Sequence, residues 1–400
     1  MKAVILAAGE GKRMRPLTRT RPKVMLPIAD KPIVEHLLIE MRKAGIKDFI
    51  FIVGYRGETI REHFGNGDKW DVNIQYVTQM KQLGTAHAVK LIERYVDDKF
   101  IVANGDVLVR EQDIEKLLNK DTVTLSLIEA QDTRDLGVVE IGGDKIKCIY
   151  EKVENPPSNL ANTGIYLLTE DIFPAIDKTR ESPRGEYELT DSLQILLSEG
   201  RVLSWVKIDN WLDVSYPWDL LTANESLMAK MNPENLGTIE DNVVMKGQVS
   251  VGKGTVVRSN SYIIGPVIIG EDCEIGPNCY IRPSTAIADN CHVGSAVEIK
   301  NSIIMRNSKI PHHNYIGDSV IGEGCNFGAG TKIANLRLDR KDITSDNIDT
   351  KRRKLGAIVG DVVQTGINAN INVGSLIGDH SFIGPGATVS GVILSNSMIF

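Results

Sequence analysis

In the first half of the chain, short apolar runs alternate with stretches whose apolar residues recur at helical spacing. Residues 2–8 predict a buried strand, 32–44 a helix, 49–53 a second strand and 86–95 another helix. Residues 100–103 form a further strand signal, ending at Asn104-Gly105-Asp106. Strands alternating with helices imply crossover connections, and hence an α/β domain with a mostly parallel sheet covered on both faces. Ligands of such sheets bind beyond the carboxyl ends of the strands, which puts residues 8–23 and Asp106 on one rim. A predicted helix over 217–230 closes a first domain, 1–231, and Asn232-Pro233-Glu234-Asn235 reads as the linker.

The second half has a different rhythm. Every sixth residue from Val251 to Ile299 is Val or Ile: Val251, Val257, Ile263, Ile269, Ile275, Ile281, Ile287, Val293, Ile299. The register resumes at Ile304, Ile310 and Ile316, again at Ile321, Phe327 and Ile333, and returns at Ile371, Ile377, Ile383 and Val389. A hexapeptide period predicts a parallel β-helix over 237–400, with three short faces per turn and eighteen residues per coil. Residues 337–355, charged and without periodic Ile or Val, predict a loop thrown out from the coil.

Composition narrows the function classes. A net charge of −6 argues against a general nucleic-acid binder, yet six basic residues and no acidic one lie between Lys12 and Lys23, predicting an anion pocket. The apolar run at the N-terminus stops at Gly9-Glu10, too short for a signal peptide, and no stretch approaches a membrane span, so the expectation is a soluble cytoplasmic protein. Five cysteines without a C-x-x-C pair do not make a secreted disulfide framework. Cys273, Cys279 and Cys291 share one repeat column and read as small residues at a corner; a Cys273–Cys291 disulfide would require a thermophile's cytosol.

Leu6-Ala7-Ala8-Gly9-Glu10-Gly11-Lys12-Arg13-Met14 is a glycine-rich turn directly after a strand, where backbone amides can cradle phosphates. It fits neither the P-loop nor the dinucleotide fingerprint. With Arg15-Pro16-Leu17-Thr18 and Pro22-Lys23-Val24-Met25-Leu26-Pro27-Ile28 it resembles the sugar-phosphate nucleotidyltransferase family. The ten-residue step from Arg13 to Lys23 is similar to the glucose-1-phosphate thymidylyltransferase branch. Gln79, Gln82-Leu83-Gly84-Thr85-Ala86, Asn104-Gly105-Asp106, Leu136-Gly137-Val138, Glu151-Lys152, Asn162-Thr163-Gly164-Ile165-Tyr166 and Trp211-Leu212-Asp213 extend the resemblance.

The resemblance implies a Rossmann-like nucleotidyltransferase domain in which Asp106 and Asp213 hold Mg²⁺. It implies that Arg13 stabilises the departing pyrophosphate and Lys23 the phosphates at the reacting centre. Ala8, Gly9 and Gln79 would read a pyrimidine, with Gly84 and Thr85 beside it; Gly137, Glu151 and Asn162 would hold the sugar. UTP and dTTP stay open, because Gln79 can pair with either base. His87 reads as a structural histidine on a helix.

In the second domain Arg282 and Lys300 lie eighteen residues apart, at one place on successive coils about 4.7–4.9 Å apart. Stacked like charges are unfavourable unless an anion separates them or solvent screens them, and both readings stand. The set Arg282, Lys300, His312, Tyr315, Asn326, Asn335 and Lys341 resembles the acetyltransferase site of the bifunctional N-acetylglucosamine-1-phosphate uridyltransferases. By that resemblance the β-helix is left-handed and assembles a homotrimer. Arg282, Lys300 and Tyr315 would bind the phosphate of an amino-sugar 1-phosphate, and Asn326 and Asn335 would orient the amine and His312. Lys341 would reach in from the same chain or a neighbour, and Ala329 would lie along acetyl-CoA. A neutral imidazole at His312 suits removal of a proton from the attacking amine. The Arg13–Lys23 step is longer than in the uridyltransferases, Asp213 stands where they often carry Asn, and 337–355 exceeds the matching loop. The leading expectation is a two-reaction enzyme. The alternatives are a single nucleotidyltransferase with a structural β-helix, like GDP-mannose pyrophosphorylases, and a non-catalytic scaffold, which would not be expected to keep Lys23, Asp106 and Asp213.

Overall fold

The computed structural model describes residues 1–96, 98–130, 132–133, 136–151 and 156–400. Two compact units emerge, and neither is a simple stretch of chain. The first comprises Met1–Glu10, Pro22–Met25 and Ile33–Asp213; the second comprises Gly11–Arg21, Leu26–Pro32 and Val214–Phe400.

The first unit is built on a nine-stranded sheet. Its strands are β1 (Lys2–Ala7), β2 (Asp48–Val53), β3 (Asn73–Thr78), β4 (Lys99–Asn104), β6 (Thr124–Glu129), β7 (Gly137–Gly142), β8 (Lys145–Glu151), β9 (Leu160–Thr169) and β10 (Ser204–Lys207); β5 (Val107–Val109) pairs outside it with β11 (Trp211–Asp213). The spatial order is β3-β2-β1-β4-β9-β6-β10-β8-β7. The first four strands run parallel. Beyond β4 the sheet is mixed, because β9 returns antiparallel beside both β4 and β6. Both faces are covered. Phe49, Phe51 and Ile101 point into one core with the helix Ile33–Lys43, and Val4, Ile50, Phe100 and Val102 into another with the helix Leu189–Ser198. Near-continuous apolar runs are the mark of strands buried on both sides.

The helix expected over 32–44 spans Ile33–Lys43. The one expected over 86–95 is shorter: Thr85–Lys90, followed by a 3-10 turn at Glu93–Tyr95. The helix expected over 217–230 forms as Asp219–Met228, within the second unit.

In the second unit three parallel sheets of nine, eight and eight short strands make the faces of a β-helix. All nine Val and Ile residues of the period from Val251 to Ile299 are 0–1% exposed, forming one continuous core. The step in register after Ile299 has a plain cause: Ala286 pairs with Ile303 and Glu298 with Tyr315, so coils there close in seventeen residues rather than eighteen.

The insert at 337–355 is more ordered than a loop. Thr344–Ser345 pairs antiparallel with Ile348–Asp349, Leu336 bridges Lys354, and Ile343 and Leu355 are buried. Its ladder is local and its buried contacts few, so the coil's period could not announce it. All five cysteines are free, so the conceivable Cys273–Cys291 disulfide does not form. The Cys291 N–H instead donates to the Cys273 sulfur at 3.4 Å. Burial pushes the Cys279 and Cys325 thiols up to about 12, leaving them protonated corner fillers. Among the described residues no helix is long and apolar enough to cross a membrane.

Candidate functional site

The carboxyl ends of the parallel strands bring the first set of candidates together. Ala8 follows β1, Gln79 follows β3, and Asp106 follows β4. Backbone bonds lock these ends to one another: Tyr55 N–H to Ala8 O at 3.1 Å, Gln79 N–H to Val53 O at 2.8 Å, and Gly105 N–H to Leu6 O at 2.9 Å. A Cβ on Gly54 would stand 2.8 Å from Ala8 O, so only glycine lets the turn after β2 close on Ala8. At Gly9 the space is open, as a backbone that must approach a ligand requires.

Gln79 is buried at the rim. Its Nε2 donates to Gly84 O at 3.1 Å and lies 2.9 Å from His87 Nδ1, which leaves Oε1 as an acceptor. His87, structural by sequence, thus helps fix the orientation of the Gln79 amide. Gly84 has φ of 109°, and a Cβ there would meet Tyr187 O at 2.4 Å. Thr85 Oγ1 accepts from Leu189 N–H at 2.9 Å. Gln82, quoted with the motif but given no role, donates to Ala8 O at 2.8 Å and ties this turn to the glycine-rich one.

Asp106 and Asp213 are far apart in sequence and converge through the β5–β11 pair, in which Asp213 lies opposite Val107, the residue after Asp106. Lys23 joins them: its ammonium is 2.6 Å from Asp106 Oδ2 and 3.9 Å from Asp213 Oδ1, and it is largely buried. Each carboxylate side chain keeps about a quarter of its surface open. Two hard carboxylates with an open side suit Mg²⁺, which commonly takes one or two carboxylates and completes its shell with water and phosphate oxygens. Among the described residues no group of three or more acidic, His or Cys side chains is arranged to hold a metal, so such an ion would depend on substrate oxygens.

Gly137, Glu151 and Asn162 also come together. A Cβ on Gly137 would lie 3.0 Å from Glu151 Oε2 and 3.7 Å from Asn162 Cβ. Glu151 is held by Arg184 at 3.1 Å and Thr190 at 3.2 Å, and Asn162 Nδ2 donates to the Tyr166 hydroxyl at 2.7 Å. Arg184 and Thr190 are supports that no sequence pattern marked, and Tyr166 stands in the quoted 162–166 motif without a role of its own. Lys152 lies outside the described residues.

Arg13 belongs to the second unit, in the 3-10 turn Lys12–Met14, with its guanidinium 5.4 Å from the centre of the Tyr216 ring. The basic run it belongs to is not a uniform anion pocket. Arg21 is already paired with Asp361 and Glu323.

On the β-helix, Arg282 and Lys300 stack as the coil period requires, continuing the pairing of Ile281 with Ile299. Neither reading of that stack is complete, because each cation has its own carboxylate: Arg282 with Glu298 at 2.9 Å, Lys300 with Asp318 at 2.9 Å. Asp318 is the residue the sequence reading missed. It is 2% exposed and also accepts from Asn335 Nδ2 at 2.5 Å and Asn301 Nδ2 at 2.9 Å. It follows Gly317, the residue that pairs with Lys300 across a seventeen-residue coil. Burial, then the Glu298 and Asp318 charges, push the Tyr315 phenol above its ordinary range. A Cβ on Gly317 would come within 2.6 Å of both Tyr315 Oη and Asn335 Nδ2, so glycine there opens a cradle between them.

His312 is exposed at the corner between two faces, one coil below Ala329-Gly330, and its carbonyl accepts from Gly330 N–H at 3.2 Å. His313 has φ of 61°, and its ring stands edge-on to that of His312, with centroids 5.8 Å apart. Asn326 is exposed on the strand Asn326–Phe327. Lys341 stands exposed on the insert, its N–H donated to Asp339, and the structure does not draw its side chain into the Lys300–Asp318 cluster.

A sheet rim with two carboxylates on one lysine, joined in the same chain to a hexapeptide β-helix bearing a cation–carboxylate cluster and an exposed histidine, defines a class: sugar-phosphate nucleotidyltransferases with a hexapeptide-repeat domain. The chain belongs to the nucleotidyl transferase family, whose model matches residues 2–230, and residues 263–366 match the GMPPB C-terminal domain. It is 44% identical over 406 residues to the bifunctional protein GlmU of Methanocaldococcus jannaschii, covering 100% of this chain and 97% of that protein. A bifunctional sugar-1-phosphate nucleotidylyltransferase/acetyltransferase of Sulfurisphaera tokodaii is 40% identical, covering 98% and 97%. Among solved structures, a protein described as a glucose-1-phosphate thymidylyltransferase from Bacillus anthracis aligns with TM-score 0.53 and 32% identity, over 58% of this chain and 96% of its own.

Proposed function

We propose that the chain carries out two reactions: transfer of a nucleotidyl group from UTP or dTTP to a sugar 1-phosphate with release of pyrophosphate, and acetyl-CoA-dependent N-acetylation of an amino-sugar 1-phosphate. The division of labour follows residues 1–231 and 237–400. The observation that carries the first reaction is the convergence of Asp106 and Asp213 on Lys23 at the carboxyl end of a parallel sheet. The full-length similarity to bifunctional relatives supports the second.

In nucleotidyl transfer, a phosphate oxygen of the sugar phosphate attacks the α-phosphorus, and the bond to the bridging oxygen of pyrophosphate breaks. Asp106 and Asp213 would hold Mg²⁺, which when bound supplies charge neutralisation and phosphate alignment. Lys23 then offers its ammonium to the reacting phosphate, and Arg13 its guanidinium to the leaving group, the positioning and positive charge that phosphoryl chemistry asks of a protein. Gln79 Oε1 would accept the N3–H of uracil or thymine beside the backbone of Ala8 and Gly9. Gly84 and Thr85 shape that pocket, while Gly137, Glu151 and Asn162 bind sugar hydroxyls.

In acetyl transfer, the amine nitrogen attacks the thioester carbonyl, the carbon–sulfur bond breaks, and CoA leaves as its thiol. His312 takes the amine's proton. Arg282, Lys300 and Tyr315 bind the sugar phosphate, with Asp318 holding Lys300 and Asn335 in place. Asn326 and Asn335 orient the reacting groups, Ala329 lines the acetyl-CoA path, and Lys341 would complete the site from this chain or a neighbour in a homotrimer. Both co-substrates are cytoplasmic metabolites, and the reading places the enzyme there.

The match of residues 263–366 to the GMPPB C-terminal domain favours a second reading, a single nucleotidyltransferase with a structural β-helix. Thiol release from acetyl-CoA with glucosamine 1-phosphate or galactosamine 1-phosphate, abolished by His312→Ala, supports two reactions. No thiol release with any amino-sugar phosphate would leave the single-activity reading.

A further inference from the structure

The insert at 337–355 carries charges that no role assigned above uses. With the helix Asp219–Met228 it walls a cavity of about 670 Å³, lined by Leu336, Arg340, the run Lys351-Arg352-Arg353-Lys354 and Glu225. All of these residues belong to the second unit. Five cations thus face one carboxylate, an excess of four positive charges. The insert also holds Asp339, Asp342, Asp346 and Asp349, but none of them lines the cavity.

The one carboxylate is already committed. Glu225 Oε1 accepts from Arg352 Nη2 at 2.9 Å and from Asn301 Nδ2 at 2.8 Å, while Arg352 Nη1 donates to Thr222 Oγ1 at 2.7 Å. Arg352 therefore anchors the insert to the helix. Arg340, Arg353 and Lys354 are exposed and form no ion pair among the described residues. Like charges gathered in this way repel, yet the backbone that carries them is pinned. Ile343 N–H donates to Arg352 O at 2.9 Å, Leu355 N–H to Asn335 O at 3.1 Å, and Thr350 Oγ1 to Ile343 O at 2.6 Å. Arg340 and Lys351 take φ of 58° and 53°, values uncommon for long side chains and frequent at ligand sites.

The cavity adjoins the cluster assigned to acetyl transfer. Leu336 follows Asn335, whose Nδ2 donates to Asp318 Oδ2 at 2.5 Å, and Asn301 Nδ2 donates to Asp318 Oδ1 at 2.9 Å as well as to Glu225. Through Asn301 and Glu225 the Lys300–Asp318 pair is thus joined to the cations of the insert. The volume lies within the range of about 300–1,000 Å³ that holds a sizeable ligand, and one phosphate would leave most of it empty. A sugar 1-phosphate brings at most about two negative charges, whereas CoA brings about four, on its diphosphate and its 3′-phosphate. We propose that the insert cavity binds the phosphate groups of CoA, with Arg340, Arg353 and Lys354 supplying the uncompensated charge. Its part in catalysis rests on the acetyl-transfer reading above; the binding itself does not.

Titration calorimetry of the full-length protein with CoA tests it. Arg353→Ala and Lys354→Ala should each weaken the CoA Kd by about tenfold, the worth of a charge-assisted hydrogen bond, and the double variant by more. Neither side chain has an ion pair to lose, and Arg340→Ala, elsewhere on the insert, gives an independent variant with the same expected direction. Dephospho-CoA, which lacks the 3′-phosphate, should bind wild type more weakly than CoA and lose less on substitution. Raising salt should weaken CoA binding more in wild type than in the double variant. In thiol-release assays the acetyl-CoA KM should rise with the Kd while kcat stays within about twofold, the mark of binding energy spent equally on ground and transition states. Lys253→Ala, an exposed lysine elsewhere on the β-helix, should change nothing. Wild-type CoA affinity in all three insert variants would overturn the proposal, and so would an equal loss in Lys253→Ala. If the variants instead lose affinity for glucosamine 1-phosphate or UDP-N-acetylglucosamine and keep it for CoA, the assignment to CoA is wrong. If CoA binds and the variants weaken it, but wild type releases no thiol with any amino-sugar phosphate, the site stands and the acetyl-transfer reading falls.

Discussion

Glycine 317 shows how much a single atom can decide. A methyl group there would lie 2.6 Å from both the Tyr315 hydroxyl and the Asn335 amide, the ends of side chains that can shift rather than backbone that cannot. Gly317→Ala should therefore fold, displace both groups, and cut acetyl transfer by at least about tenfold while pyrophosphate release is unchanged; parallel assays of thiol and pyrophosphate read the split. His312→Ala should cost about 10²–10⁴ in acetyl transfer and nothing in nucleotidyl transfer, the usual worth of a general base. At this scale the sequence was most legible where a residue type has only a few uses. Asp106, Asp213 and Lys23 were named as a group before any geometry and do meet. Asp318, Gln82 and Arg184 were not given roles, because a support acts through another residue and leaves no motif of its own. Arg21 was read as part of an anion pocket, since a charge run does not reveal that a distant acid already neutralises one of its members.

Among the elements, the short strand β11 carries the heaviest demand, because it must deliver Asp213 opposite the β5 end. Its approach is fixed by Asp113, 1% exposed, whose carboxylate accepts the N–H groups of Asp209 at 3.1 Å and Asn210 at 3.0 Å and the Lys116 ammonium at 2.9 Å. Burial alone would push this acid up, but the hydrogen bonds from Lys116, Asp209 and Asn210 outweigh it and hold it below the ordinary carboxylate range. A depressed folded value stabilises the protein above the ordinary pKa of about 3.9 and loses that contribution as pH falls through the folded value. Asp113→Asn should accordingly be less stable than wild type at pH 7 by about 1–3 kcal/mol, with the gap closing below about pH 4, as urea titrations at each pH would show. Identical gaps at pH 7 and pH 3 would refute the assignment. None of this tether was visible in the sequence, where Asp113 is one acid among several on a helix. Parallel strands buried on both faces, by contrast, wrote themselves into the chain as apolar runs, and the helix over 33–43 was bounded to within a residue.

For the whole molecule, the six-residue period was the plainest statement the sequence made, because every turn of a β-helix repeats the same burial problem and solves it with the same residue types. It even recorded the seventeen-residue coils as a skipped step. It could not show that Gly11–Arg21 belongs with the β-helix unit, since that depends on ion pairs between residues more than three hundred positions apart. The last coil leaves Leu394, Met398 and Phe400 exposed at 70%, 66% and 86%. If the β-helix assembles as proposed, light scattering should give a homotrimer, and a stable monomer would count against a shared acetyl-transfer site. Chelation of divalent metal should stop pyrophosphate release and spare thiol release, because no residue assigned to the acetyl-transfer site calls for a cation cofactor.

The most direct test of two chemistries in one chain is a single incubation with acetyl-CoA, glucosamine 1-phosphate and UTP or dTTP, following free thiol and pyrophosphate together. Wild type should release both; Lys23→Ala and Asp106→Asn should lose pyrophosphate and keep thiol, while His312→Ala should lose thiol and, given N-acetylglucosamine 1-phosphate, keep pyrophosphate. Pyrophosphate release at wild-type rate from Lys23→Ala or Asp106→Asn would contradict the account at its centre.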